Sequence, residues 1–114
     1  MTKVKFAAGM LLAATLVVPT GTAFAVDAHG GGAHAWTPAA RDSGRIAIKD
    51  GSNDGDPAKA EYYRYNSPTT KRTLWNHSGY GTKVYSGDGS KIIRFQACDD
   101  NDWAPDDCSG WKTA

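Results

Sequence analysis

The stretch K-I-I-R-F-Q-A-C at residues 91–98 decides the fold class. Ile93, Phe95 and Ala97 fall on one face, with Arg94 and Gln96 between them. That period of two belongs to a half-buried strand, and the branched and aromatic side chains suit a pleated surface. Working outward, residues 82–86 (TKVYS) alternate in the same way, and Gly87-Asp88-Gly89 reads as a tight hairpin between the two. Residues 72–76 (RTLWN) form a shorter strand, bounded by Asn66-Ser67-Pro68 and Ser78-Gly79-Tyr80-Gly81. Residues 58–65 (AKAEYYRY) set Ala60 and Tyr62 opposite Glu61 and Tyr63, and residues 45–49 (RIAIK) put Ile46 and Ile48 on one face. Between them, residues 50–57 (DGSNDGDP) are turn chemistry throughout. No window carries apolar residues at helical spacing. Five to six short strands separated by Gly, Asn, Asp and Pro turns predict an all-β domain: a small antiparallel β-sandwich or barrel with one disulfide.

The N-terminal side divides into two segments. Lys3 and Lys5 precede an uncharged, largely apolar run at 6–18, followed by Pro19 and the small-residue site Ala23-Phe24-Ala25. This is the order of a secretory signal peptide, so residues 1–25 are expected to be removed and Val26 to lead the mature chain. The run is too short for a membrane span, which needs roughly 20 residues. Residues 26–43, with His29-Gly30-Gly31-Gly32-Ala33-His34 and Pro38, read as a flexible arm, and the β-domain is placed at 44–114. The expected location is extracellular, with no membrane association once the signal is gone.

The whole chain has 13 basic and 12 acidic side chains; without Lys3 and Lys5 the balance is 11 to 12, formally −1. A near-neutral domain lacks the basic excess that draws nucleic acid, so none is expected as a partner. Cys98 and Cys108 form the one intramolecular pair available, and export makes a disulfide its natural state.

The stretches Glu61-Tyr62-Tyr63-Arg64, Thr73-Leu74-Trp75-Asn76 and residues 104–111 (APDDCSGW) resemble those of small secreted proteins of Streptomyces-type actinobacteria. The resemblance spans about residues 44–114 and implies a source and a compartment. It brings no activity and no functional residue.

Four constellations carry chemistry. The first aligns with a calcium loop: Asp50, Ser52, Asp54, the turn glycine Gly55 and a closing Glu61 occupy the oxygen-donor spacing. Ser52 in place of a carboxylate, Pro57, and strand-like flanks also fit a plain polar hairpin loop. The second is the loop between Cys98 and Cys108, where Asp99, Asp100, Asp102, Asp106 and Asp107 surround Trp103. The third is the aromatic set of ten side chains after residue 25, more than a small core hides. Trp75, Trp103, Trp111 and Tyr63 are the candidate ligand contacts. The fourth, His29 and His34, offers two imidazoles for a soft metal or simply a solvated tail.

No nucleophile elbow, HExxH, P-loop or GxGxxG is present, and His77 beside Ser78 does not make a triad. The expectation is a non-enzymatic secreted binding protein taking polysaccharide, cell wall or a protein partner, with calcium the candidate ion. The alternative is a small effector, an inhibitor or antimicrobial protein, acting through the disulfide-braced loop.

Overall fold

A computed structural model describes residues 26–38 and 44–114. Residues 1–25, on which the signal-peptide expectation falls, and residues 39–43 lie outside the described residues. Among those described there is no helix, and nine strands form two antiparallel sheets. In chain order they are β1 (Asp27–Gly30), β2 (Ala33–Trp36), β3 (Ala47–Asp50), β4 (Ala58–Arg64), β5 (Ser67–Asn76), β6 (Lys83–Tyr85), β7 (Ile92–Asp99), β8 (Asp107–Cys108) and β9 (Lys112–Thr113). One sheet runs β1-β2-β3-β6. The other runs β9-β7-β4-β5, with β8 also paired to β7.

The inward faces follow from alternation. Ala58, Ala60 and Tyr62 of β4 and Ile92, Phe95 and Ala97 of β7 meet Ala28, Ala33, Ala35, Ile46 and Ile48 from the other sheet. A core this rich in alanine lets backbones come close. A Cβ on Gly30 would lie 2.5 Å from both the Ala97 carbonyl oxygen and the Ser109 nitrogen, so β1 passes where only glycine fits.

Three expectations change. Residues 26–38 are not a flexible arm: Asp27 pairs with Trp36 through Gly30 with Ala33, and β2 continues onto β3. Gly31 and Gly32, at φ 58° and 92°, make the two-residue turn that such a hairpin needs. Glycine here shapes a hairpin rather than loosening a linker. Secondly, Gly87-Asp88-Gly89 does not close a hairpin, because β6 pairs with β3 and β7 with β4. The chain crosses between sheets there, as it does over residues 51–57. Thirdly, the register shifts between Tyr63 and Arg64 opposite β7, and Ile92 rather than Ile93 is fully buried.

Arg64 secures the crossovers. It is buried, and its Nη1 donates to the carbonyls of Gly44 and Ser90, both at 2.7 Å, while Nη2 donates to Gly87 O at 3.2 Å. Cys98 and Cys108 stand opposite each other in the β7–β8 pair and are joined by the disulfide. Such a bond belongs to an oxidising environment. No helix of the described residues is long and apolar enough to cross a membrane.

Candidate functional site

Two places concentrate functional groups. The first is the outward face of the β9-β7-β4-β5 sheet. Alternation turns Lys59, Glu61 and Tyr63 of β4 away from the core, and their cross-strand partners share that face. Lys59 stands opposite Trp75, Glu61 opposite Thr73 and Gln96, and Tyr63 opposite Arg94. At one end Arg94 lies 4.1 Å over the Tyr63 ring, and Tyr63 packs against Trp111 with centroids 5.2 Å apart. At the other end the Lys59 ammonium sits 5.0 Å over Trp75, which stacks on His77 at 5.2 Å. Between the two, Gln96 donates to Glu61 at 2.8 Å.

Most charges on this face are paired. Lys59 is 3.4 Å from Glu61 and 2.6 Å from Asp106, and Lys71 is 3.6 Å from Glu61. Burial pushes the Glu61 carboxyl up, but the Gln96 hydrogen bond and the two lysines outweigh it and hold it below the ordinary range. The Lys59 contact likewise lowers Asp106 and pins the disulfide loop against the sheet edge.

Of the four candidate contacts, Tyr63 and Trp111 are brought together, and Trp75 shares their face about 13 Å along β4 at a strand rise of about 3.3 Å per residue. Trp103 is not with them. It stands 96% exposed on the loop between the cysteines.

The second place is an acidic corner at one end of the sandwich. Along β3 and the residue before it the inward positions run Ile46, Ile48, Asp50; in β7 they run Phe95, Ala97, Asp99. Each apolar column ends in a buried aspartate. Asp54, from the crossover after β3, joins them, and one carboxylate oxygen from each of Asp50, Asp54 and Asp99 lies within 4.8 Å of the others. The loop geometry is local: Asp50 Oδ1 accepts from Ser52 N at 3.1 Å, and Asp54 accepts from Asp56 N at 2.9 Å and Ser52 Oγ at 3.1 Å. Gly31 closes over the corner, since a Cβ there would come within 2.7 Å of Asp99 Cβ. A cleft of ≈ 130 Å³ opens beside it, lined by Asp50, Gly55, Asp56, Pro57, His77 and Gly79.

The electrostatics of this corner are unbalanced. Burial first, then the hydrogen bond and negative charge of Asp54 and the charges of Asp50 and Asp56, push the Asp99 carboxyl up to about 7. Asp54 is lowered, chiefly because it accepts that hydrogen bond from Asp99. Among the described residues no lysine or arginine forms an ion pair with any of the three.

The calcium-loop alignment therefore holds only in part. Asp50 and Asp54 converge, and Ser52 is beside them but donates its hydroxyl to Asp54. Glu61 is elsewhere, on the outward face of β4, three residues past the Ala58 that pairs with Asp99. The third carboxylate of the corner is Asp99. Its signal in the sequence is that it continues the inward period of Phe95 and Ala97. The bridged acidic loop is not one site either: Asp99 enters the corner while Asp106 goes to Lys59.

His29 and His34 face each other across β1 and β2, stacked at 4.1 Å. His34 Nε2 is 3.4 Å from Asp27 Oδ1, at ion-pair distance but outside hydrogen-bonding geometry. One donor atom from each of Asp27, His29 and His34 lies within 4.8 Å of the others.

No protein-family model, no curated protein and no solved structure matches this chain.

Proposed function

We propose that this chain is an exported binding domain that takes extracellular polysaccharide on the outward face of its β9-β7-β4-β5 sheet. The observation that carries the reading is the presence of exposed rings and polar side chains together on one sheet face. Trp111 with Tyr63 and Trp75 provide apolar faces for sugar rings; Glu61 and Gln96 between them provide acceptors and donors for hydroxyls. Trp75 and Trp111 remain 39% and 43% exposed although neither is needed to fill the core. The compensated charge on the face favours a neutral ligand.

The test is retention on insoluble polysaccharides and isolated cell wall, followed by titration with soluble oligosaccharides. Trp111→Ala and Trp75→Ala should each weaken binding roughly tenfold, the effect of losing one well-packed aromatic anchor, with the β-sheet circular dichroism unchanged. Binding that survives both changes would remove the reading. A second reading has one observation behind it, the 96% exposure of Trp103 on the cystine-closed loop. If Trp103→Ala alone abolishes association with an extracellular protein, the domain acts as an effector through that loop.

A further inference from the structure

We propose that Asp50, Asp54 and Asp99 form a binding site for one calcium-type divalent cation, assembled from both sheets at the end of the sandwich. The argument begins with what a core position tolerates. Carboxylates are seldom fully buried unless paired, because leaving water is costly and only a partner offsets it. Asp50 is 2% exposed and Asp99 9%, and both point inward where the preceding residues of their columns are apolar. Asp99 Oδ1 is shut off from solvent and has no hydrogen-bond partner. An orphaned acceptor, nine-tenths buried and next to two further carboxylates, is the arrangement a cation completes.

The donor chemistry selects the ion. All three side chains offer hard oxygen, and neither sulfur nor imidazole belongs to the group. Calcium accepts such sets with irregular geometry and fills the remaining positions with backbone carbonyls or water, whereas magnesium demands a near-ideal octahedron. Asp54 lies on the exposed crossover, so the set joins two fixed carboxylates to one adjustable one. The adjoining cleft, with Asp50 in its wall, gives the ion and its waters a way in.

The donor set differs from that of a contiguous calcium loop, which would close with Glu61. The consequence is structural: β3 and its crossover on one side and β7 on the other are tied together by the ion, so binding reports on folding of the whole domain.

The experiment uses the mature full chain with calcium chloride alone as the probe. Equilibrium dialysis with radioactive calcium should give one ion per chain, with Kd on the order of 10⁻⁴–10⁻³ M as in other extracellular modules. Thermal unfolding in ~10 mM calcium against EDTA should raise the midpoint by roughly 10 °C, from mass action on a domain of this size. Magnesium at the same level should raise it by less than half as much. Asp54→Asn and Asp99→Asn should each weaken binding at least ~10-fold, a change of about 1.4 kcal/mol, while Glu61→Gln keeps the full response. Asp54 is exposed, so its variant stays folded and keeps the test open should Asp99→Asn not fold. No bound calcium and no shift in the wild type would overturn the proposal. So would loss of the response in Glu61→Gln with retention in Asp99→Asn, which would return the site to the 50–61 loop.

Discussion

Replacing Asn76 by alanine is expected to destabilise the domain by about 3 kcal/mol. Asn76 ends β5 and is completely buried. Its Nδ2 donates to Ile48 O at 3.3 Å and to Thr82 O at 2.8 Å; its Oδ1 accepts from Ser78 N at 2.9 Å and from Thr82 Oγ1 at 3.2 Å. One amide thus joins the end of one sheet to β3 of the other and to the connection before β6. Two partners keep an alternative: Thr82 O also accepts from Asp50 N, and Thr82 Oγ1 also donates to Gly79 O. Ile48 O keeps its place opposite Val84 in the β3–β6 ladder, so Ser78 N is the group left without a partner. Four hydrogen bonds at about 0.5–1.5 kcal/mol net each, less what the remaining partners and water recover, plus a small cavity, come to about 3 kcal/mol. For a domain this size that lowers the melting midpoint by roughly 12–24 °C. Asn76→Asp adds a sign. It keeps the acceptor and turns both donations into contacts between oxygens. Burial raises the pKa of the new carboxyl, so the folded protein holds that proton more tightly than the unfolded chain. The deficit against wild type is therefore smallest near pH 4 and grows as pH rises towards 7. Urea unfolding followed by tryptophan fluorescence at both pH values measures it. An Asn76→Ala variant within ~0.5 kcal/mol of wild type, below the ordinary cost of an unpaired buried group, would refute the reasoning.

Arg64→Met should cost about 3 kcal/mol, because three charge-assisted bonds to loop carbonyls vanish while the apolar stem stays; Arg64→Lys, lacking the planar fork, should recover less than half in the same denaturation assay. Reducing Cys98–Cys108 should lower stability by about 2–3 kcal/mol on the chain-entropy estimate, read by unfolding with and without reductant. The Glu61 carboxyl is depressed in the folded state, so its contribution is complete above the ordinary glutamate range and is lost as pH falls through its lower folded value. The wild-type minus Glu61→Gln stability difference should therefore shrink from pH 6 to pH 3. Intact mass of protein recovered from culture medium should place Val26 at the N-terminus; a chain beginning at Met1 there would contradict export.

Alternation carried most of the legible fold. The strands over 58–64 and 92–99 appear where period two puts Ala60, Tyr62, Phe95 and Ala97 inward. Alternation does not say which sheet a strand joins, and so Gly87-Asp88-Gly89 passes for a hairpin when it is a crossover. Composition misleads at the N-terminus for a physical reason. The glycines that resemble a linker are a turn at positive φ and a close backbone approach, and alanines at 28, 33 and 35 are core residues because the sheets lie close. Pro68 reads as the end of a strand, yet β5 runs through it, since β5 is an edge strand and a proline there breaks no ladder bond. The acidic corner was half legible. Asp50 and Asp54 are near in sequence, whereas Asp99 reaches them only through the packing of two sheets.

The two functional places differ in how their charge is settled, and that difference separates their ligands. On the outward sheet face Glu61 meets Lys59, Lys71 and Gln96, and Arg94 lies over Tyr63. A strongly charged ligand would have to break those pairs, while a neutral polyhydroxylated one can add hydrogen bonds around them and stack on the rings. At the corner, among the described residues, nothing of opposite sign meets Asp50, Asp54 and Asp99 in an ion pair. β7 links the two, carrying Arg94 and Gln96 outward and Asp99 inward at its end. Cation binding at the corner fixes the end of the strand that supplies half the outward face. Calcium should accordingly slow amide exchange along β7 and tighten polysaccharide retention, and Asp54→Asn should abolish both effects without touching a residue of the aromatic face. Retention that is the same in calcium and in EDTA would show that the two places act independently.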